Sequence, residues 1–250
     1  DLGVGAPGDG GPDPSDQATT IGGTVTLFFG GRDGLDMTHT RLLRGERTGA
    51  RQDRGFGARL AAGDVDDDGD VDLVVGSQGA GFLDGEGEPG SVSYCPSGSE
   101  GPRGCAQLAY GDEYAGLSTV RVGNVSGSSR PEIVIGVPAA VEESDDPGKV
   151  VVLSTDGLHP VAVSKKLTIT QASKGVPGSD EPYDAFGSSV ALGDVDRDGY
   201  DDLVVGVERE DDGKKRNTGR VALVYGAEAG YRTSGNKLYS QDTQGIPSVA

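Results

Sequence analysis

The chain has 250 residues, of which 40 are acidic and 22 are basic, so its formal net charge is −18. A chain this acidic is repelled by phosphate backbones and anionic membrane surfaces, and it has no run of about 18 apolar residues, so we expect neither nucleic-acid binding nor membrane insertion. Its 44 glycines follow no Gly-X-Y period, which excludes a collagen-like chain.

The chain begins at Asp1, and no charged segment followed by an apolar one stands there as a signal sequence. We expect either that a targeting segment has been removed or that the chain is a piece of a longer protein.

Three stretches of the chain align with one another, starting at Phe56, Leu117 and Phe186. A fourth copy is split between the two ends, at 1–7 and 246–250. Self-similarity of this kind is typical of repeat architectures. We therefore predict one repeat segment over 1–250 with approximate units 1–55 (partial), 56–116, 117–185 and 186–245, and with 246–250 starting or closing another.

Each unit is predicted to contain four short strands. The first follows a Phe-Gly pair, the second is an apolar run that starts with an acidic residue, the third alternates apolar residues after a glycine, and the fourth is weaker. The predicted third and fourth strands are 24–28, 41–43, 91–94, 106–108, 149–153, 167–169, 220–225 and 237–239. Short strands repeated in this way predict an all-β fold, a β-propeller of four-stranded blades with about four blades in this chain. The alternative, a β-sandwich of the same strands, does not require the repeat.

Two loops between the first and second strands have the pattern D-x-D-x-D-G-x-x-D, at 64–72 and 194–202. Carboxylates at every second position can converge on one side of a tight loop, and a glycine at the sixth position permits the turn. Hard oxygen ligands without nearby His or Cys favour Ca²⁺ over zinc, so we predict two calcium sites. The predicted ligands are Asp64, Asp66, Asp68, Asp70 and Asp72 in the first loop, and Asp194, Asp196, Asp198, Tyr200 and Asp202 in the second, with the backbone carbonyl serving at Asp70 and Tyr200.

These loops are not EF-hands, because Val75 and Val205 stand where that motif requires a bidentate glutamate. The alternative is a solvated acidic turn without a metal. The corresponding loop of the middle repeat, 124–132, has lost most of its carboxylates and gained Arg130, so we expect no tight metal site there.

The two cysteines, Cys95 and Cys105, are close in sequence and separated by Pro, Ser and Gly. This spacing suits a disulfide across a hairpin loop and therefore an oxidising, extracytoplasmic compartment. The alternative is a pair of free thiols.

The Phe-Gly pairs, the acidic loops and the Gly-Ala-Pro segment at 5–7 resemble FG-GAP repeats, the blades of integrin α-subunit propellers and of many secreted bacterial proteins. The resemblance implies a calcium-stabilised propeller, typically of seven blades, with calcium on one rim and partners on the other. The remaining blades are then expected outside this chain or in another chain of an assembly. The alternative is an unusually small ring that closes by pairing the two ends of this chain. The family includes adhesion receptors, carbohydrate-binding modules and domains attached to secreted enzymes, so the fold does not decide the function.

The loops between the second and third strands, at 8–21, 77–90, 139–147 and 207–218, are long and acidic. In an up-and-down blade they lie opposite the calcium loops, and long loops on a rigid scaffold commonly carry binding. We expect this rim to bind a basic or polyhydroxylated partner, a protein or a carbohydrate; the alternative is a merely solubilising surface. The candidate partner-binding residues are Glu142, Glu143, Asp145, Asp146, Glu208, Asp211 and Asp212.

The sequence contains no G-x-S-x-G, phosphate-loop or H-E-x-x-H motif, and its two histidines, His39 and His159, have no marked catalytic partners. We therefore predict an extracellular, non-catalytic binding or adhesion module. The alternatives are a propeller domain of a secreted carbohydrate-active or other degradative enzyme, and a structural part of a larger secreted assembly.

Overall fold

A computed structural model describes residues 1–8, 22–45, 47–48, 51–52, 55–78, 90–102, 104–111, 114, 116–138, 145–158, 161–213 and 215–246. Over these residues the chain is all-β, without an α-helix, and it separates into two compact units, Asp1–Ala115 and Gly116–Ala250. No helix among these residues is long and apolar enough to cross a bilayer.

The first unit contains two antiparallel sheets and a small hairpin. One sheet has the order β1-β2-β3 and the other β6-β7-β8-β9, so each sheet connects strands that are consecutive along the chain. The strands are β1 (Leu2–Ala6), β2 (Thr24–Gly31), β3 (Gly34–Arg44), β4 (Arg47–Thr48), β5 (Arg51–Gln52), β6 (Arg59–Gly63), β7 (Asp72–Ser77), β8 (Gly90–Cys95) and β9 (Ala106–Gly111).

The second unit contains two four-stranded antiparallel sheets, β10-β11-β12-β13 and β14-β15-β16-β19, and the short hairpin β17-β18. The strands are β10 (Thr119–Gly123), β11 (Glu132–Val137), β12 (Lys149–Thr155), β13 (Val163–Ile169), β14 (Phe186–Gly193), β15 (Asp202–Val207), β16 (Arg220–Val224), β17 (Gly226–Ala227), β18 (Gly230–Tyr231) and β19 (Lys237–Tyr239).

The second strand of each four-stranded sheet is apolar and largely enclosed. Every residue of β7 and β11 is buried, and most of β15 is buried too. Their Val, Leu and Ile side chains fit a pleated surface that is covered on both faces. Most predicted strands agree with the structure within a few residues at their ends. The strand predicted at 41–43 is an exception, because β3 already begins at Gly34. Hairpins β4-β5 and β17-β18 were not predicted.

The Phe-Gly pairs anchor one sheet on the next within each unit. Phe186 is completely buried in the core of the second unit, and Phe56 is buried in the core of the first. The following Gly187 has a positive φ of 88°, and a Cβ there would lie 2.4 Å from the carbonyl oxygen of Lys149. Only glycine permits this close approach of two backbones.

The repeat that begins with Leu117 replaces this pair with a different contact. Leu117 is completely buried, as the phenylalanines are. The hydroxyl of Ser118 donates to the carbonyl oxygens of Gly136, at 3.2 Å, and Gly187, at 2.7 Å. The serine thus bridges the two sheets of the second unit.

Candidate metal centres

The two predicted acidic loops occupy the same place in their sheets. The first connects β6 to β7 and the second connects β14 to β15. At the base of each loop the last ladder pair joins a glycine to an aspartate, Gly63 to Asp72 and Gly193 to Asp202. The loops therefore start and end in the same register.

Each loop is curled by hydrogen bonds to its first aspartate. The Asp64 carboxylate accepts the backbone N–H groups of Asp68, at 3.1 Å, and Gly69, at 3.0 Å. In the second loop Asp194 accepts the N–H groups of Asp198 and Gly199, both at 3.0 Å. This curl requires positive φ angles, which are 65° at both Asp67 and Arg197, 91° at Gly69 and 96° at Gly199.

Three carboxylates converge in each loop. One oxygen from each of Asp64, Asp66 and Asp72 lies within 4.8 Å of the others, and the same holds for Asp194, Asp196 and Asp202. We call these groups the first and second triads. The other predicted ligands stand outside the triads: Asp68 Oδ1 accepts the N–H of Asp70, and Asp198 Oδ1 accepts the N–H of Tyr200.

The closing aspartate of each triad accepts hydrogen bonds from backbone N–H groups. Asp72 is only 1% exposed and accepts the N–H groups of Val65, at 3.0 Å, and Ser97, at 2.9 Å. Asp202 accepts those of Val195, at 2.8 Å, and Gly226, at 3.0 Å. Burial raises the pKa of Asp72, and the charge of Asp66 acts in the same direction. A cation at the triad would relieve this electrostatic penalty.

The donor set suits a hard cation. All three groups of each triad are carboxylates, and oxygen-only coordination is typical of Ca²⁺, which takes six to eight such ligands. Carbonyls, water or the neighbouring aspartates would have to complete the shell.

The triads have different neighbours, and sequence reasoning missed both. In the first loop the hydroxyl of Tyr94, on β8, donates to Asp66 Oδ2. In the second loop the guanidinium of Arg232 contacts Asp196 at 2.7 Å and Asp198 at 2.6 Å. Neither residue belongs to the loop pattern, so no spacing in the sequence marks it.

The middle loop is closed by hydrogen bonds within the protein. Glu132 is completely buried, and its carboxylate accepts the N–H groups of Val125, at 3.0 Å, and Ser126, at 3.2 Å, together with the Ser126 hydroxyl. The loop also contacts the second acidic loop, because Asn124 Nδ2 donates to the carbonyl oxygen of Gly199 at 3.0 Å.

The predicted disulfide between Cys95 and Cys105 is confirmed, and both cysteines are buried in the core of the first unit. The loop that it closes docks on the neighbouring sheet. Arg41 Nη1 donates to the carbonyl oxygens of Gly101, at 3.1 Å, and Pro102, at 2.9 Å.

The predicted partner-binding acids differ in what they already contact. Glu142 and Glu143 lie outside the described residues. Asp145 and Glu208 are exposed. The other three have partners within the chain: Asp146 pairs with Lys149, Asp211 accepts the N–H of Asn217, and Asp212 pairs with Arg220.

A cleft of about 710 Å³ opens beside the 207–218 loop, between residues 181–184 and the side chains of Arg209, Asp211, Arg216 and Asn217. Asp184 also lines the cleft and is only 4% exposed, and burial raises its pKa to about 6, with nearby acids adding to the shift. Tyr183 and Asn217 line the cleft with positive φ angles of 72° and 51°. Tyr183 is the less usual of the two, because asparagine adopts this backbone conformation more readily than most other residues do.

Comparison with known proteins agrees with this geometry. The sequence model of the FG-GAP repeat matches residues 56–95 and 186–224, which are the two segments that contain the triads. The chain carries FG-GAP repeats. The described residues form four antiparallel sheets of three or four strands, so the chain has the fold of FG-GAP, integrin-α-like propeller blades.

The chain is similar to integrin α subunits. The chain is 29% identical over 167 residues to integrin alpha-8 of Gallus gallus, covering 61% of the chain and 14% of that protein. It is 30% identical over 177 residues to integrin alpha-X of Homo sapiens, covering 66% of the chain and 14% of that protein. A similar match links it to integrin alpha-6 of Homo sapiens, at 30% over 156 residues, 60% of the chain and 12% of that protein. The matches thus cover only 12–14% of the length of these relatives.

Proposed function

We propose that this chain is a calcium-stabilised, extracellular binding or adhesion module. The observation that carries the proposal is the pair of in-register carboxylate triads inside the two FG-GAP repeats. Bound to the ordered loop and not to the unfolded chain, calcium would stabilise the fold by mass action. The disulfide supports an oxidising compartment.

Calcium titration followed by isothermal calorimetry tests the metal part of the proposal. We expect two sites in the whole chain and one after Asp64→Asn or Asp194→Asn, because each change removes one charge from one triad. Glu228→Gln is the matched control, since it removes an exposed acid that belongs to neither triad. Equal stoichiometry in all four proteins would contradict the assignment.

We further propose that the partner, a protein or a carbohydrate with basic or hydroxyl groups, binds at the rim opposite the triads. The 207–218 loop supports this, because β15 runs from the second triad to the opposite end of its sheet. There the exposed Glu208 adjoins a cleft with an aromatic ring, two arginines and acids. Such a mixture of groups can bind hydroxyls and charged side chains together.

Screening a glycan array and a set of basic peptides in calcium tests the rim. Glu208→Gln with Asp211→Asn should weaken any binding detected, whereas Glu228→Gln, in the turn of hairpin β17-β18 near the second triad, should leave it unchanged. Binding that survives the double change would place the partner elsewhere. Calcium binding is measured separately, so the two parts of the proposal can fail independently.

A further inference from the structure

Arg232 bridges two acids of the second loop. Its Nη1 lies 2.7 Å from Asp196 Oδ2, and its Nη2 lies 2.6 Å from Asp198 Oδ2. Asp196 is one of the three carboxylates of the second triad. A positive group therefore already lies where the charge of a metal ion would act.

The backbone fixes the position of Arg232. Its N–H donates to the carbonyl oxygen of Tyr225 at 2.8 Å, and its own carbonyl accepts Asn236 Nδ2 at 2.7 Å. The guanidinium carbon lies 5.1 Å from the centre of the Tyr225 ring, within the range of a cation–π contact. Arg232 directly follows hairpin β17-β18, and at the start of that hairpin the N–H of Gly226 donates to Asp202.

The first loop differs at the equivalent aspartate. Asp66 is buried and accepts the hydroxyl of Tyr94, which is an uncharged donor. A neutral hydroxyl can remain hydrogen-bonded to a carboxylate that binds a cation. A guanidinium that stayed on such a carboxylate would be repelled by the bound cation, because two positive charges would then share one carboxylate.

We propose that Arg232 is a built-in counter-ion of the second loop that competes with a metal ion for Asp196 and Asp198. It keeps the loop ordered without metal and lowers the calcium affinity of the second triad. This inference rests on the proposed calcium binding and adds a residue that sets the affinity of one site.

The test uses the full chain with Asp64→Asn, so that calorimetry follows the second triad alone. Arg232→Gln should tighten calcium binding about fivefold, the effect of breaking one or two exposed ion pairs. Arg232→Lys keeps the charge but loses the forked geometry, so its calcium affinity should lie between that of the Asp64→Asn chain and that of Arg232→Gln. Arg197→Gln is the matched control, since it removes an equal charge from the same loop and has no ion pair with a described residue.

A calcium-free measurement gives an independent readout. In chelator, Arg232→Gln should lower the Tm and Arg197→Gln should not, because only Arg232 bridges the acids. An unchanged calcium affinity in Arg232→Gln, or an equal gain in Arg197→Gln, would overturn the competition. If the Asp64→Asn chain binds calcium but Arg232→Gln has no effect, this inference alone is wrong. If no variant binds calcium, Arg232→Gln included, the calcium site proposed at the second triad is wrong as well.

Discussion

Asp184 is a side chain whose burial shifts its pKa. Its pKa is raised to about 6, mainly by desolvation, whereas an unfolded chain would titrate near 3.8. The folded state therefore binds the proton more tightly than the unfolded state does. Stability should fall as the pH rises from about 4 to about 6, and the penalty should be complete above that window.

Asp184→Asn removes this penalty while keeping an oxygen that can accept the N–H of Glu181. We expect the free energy of unfolding at pH 7.5 to rise by about 1 kcal/mol, with little gain at pH 4. Urea denaturation in saturating calcium measures the difference between variant and parent at each pH. Asp145→Asn, at an exposed acid of the same unit, should change neither value. A variant that is less stable at pH 7.5 would show that the charge itself is needed.

At the scale of one element, the disulfide loop joins two sheets of the first unit. The bond between Cys95 and Cys105 closes a short loop, which Arg41 ties to the neighbouring sheet. A cross-link over ten positions restricts the unfolded chain and is worth about 2–3 kcal/mol. Changing both cysteines to serine should therefore lower the protection of amides in the first unit against hydrogen exchange.

The reduced parent protein is the control for that change. Reduction of the parent should lower the hydrogen-exchange protection of amides in Asp1–Ala115 as much as the change of both cysteines to serine does. It should have no further effect on the serine variant. Protection that is unchanged by reduction would mean that the contacts of Arg41 hold the loop without the bond.

The sequence predicts the long strands but not the short hairpins or the contacts between distant residues. The strands were predictable because β-branched runs such as β7 and β11 alternate with glycine-rich turns and recur in register. Hairpin β17-β18 was not predictable, because two-residue strands have no period to detect. Tyr94 lies 28 residues along the chain from Asp66, and Arg232 lies 34 residues from Asp198, so only folding brings them to the acidic loops.

For the whole molecule, the two compact units divide the proposed metal sites equally. The first triad lies in Asp1–Ala115 and the second in Gly116–Ala250. Each unit also has its own apolar core, around Val75 and Phe56 in the first and around Val205 and Phe186 in the second. A metal ion bound in one unit should therefore stabilise mainly that unit.

Hydrogen exchange of the full chain, with and without calcium, checks this division. Asp66→Asn should abolish the calcium-dependent protection of amides in the first unit and leave that of the second, and Asp196→Asn should do the reverse, because linkage acts where the ligand binds. Asparagine keeps an acceptor for Tyr94, so the loss in the first unit would report the missing charge. Loss of protection in both units from either single change would show that the two metal sites stabilise one cooperative structure.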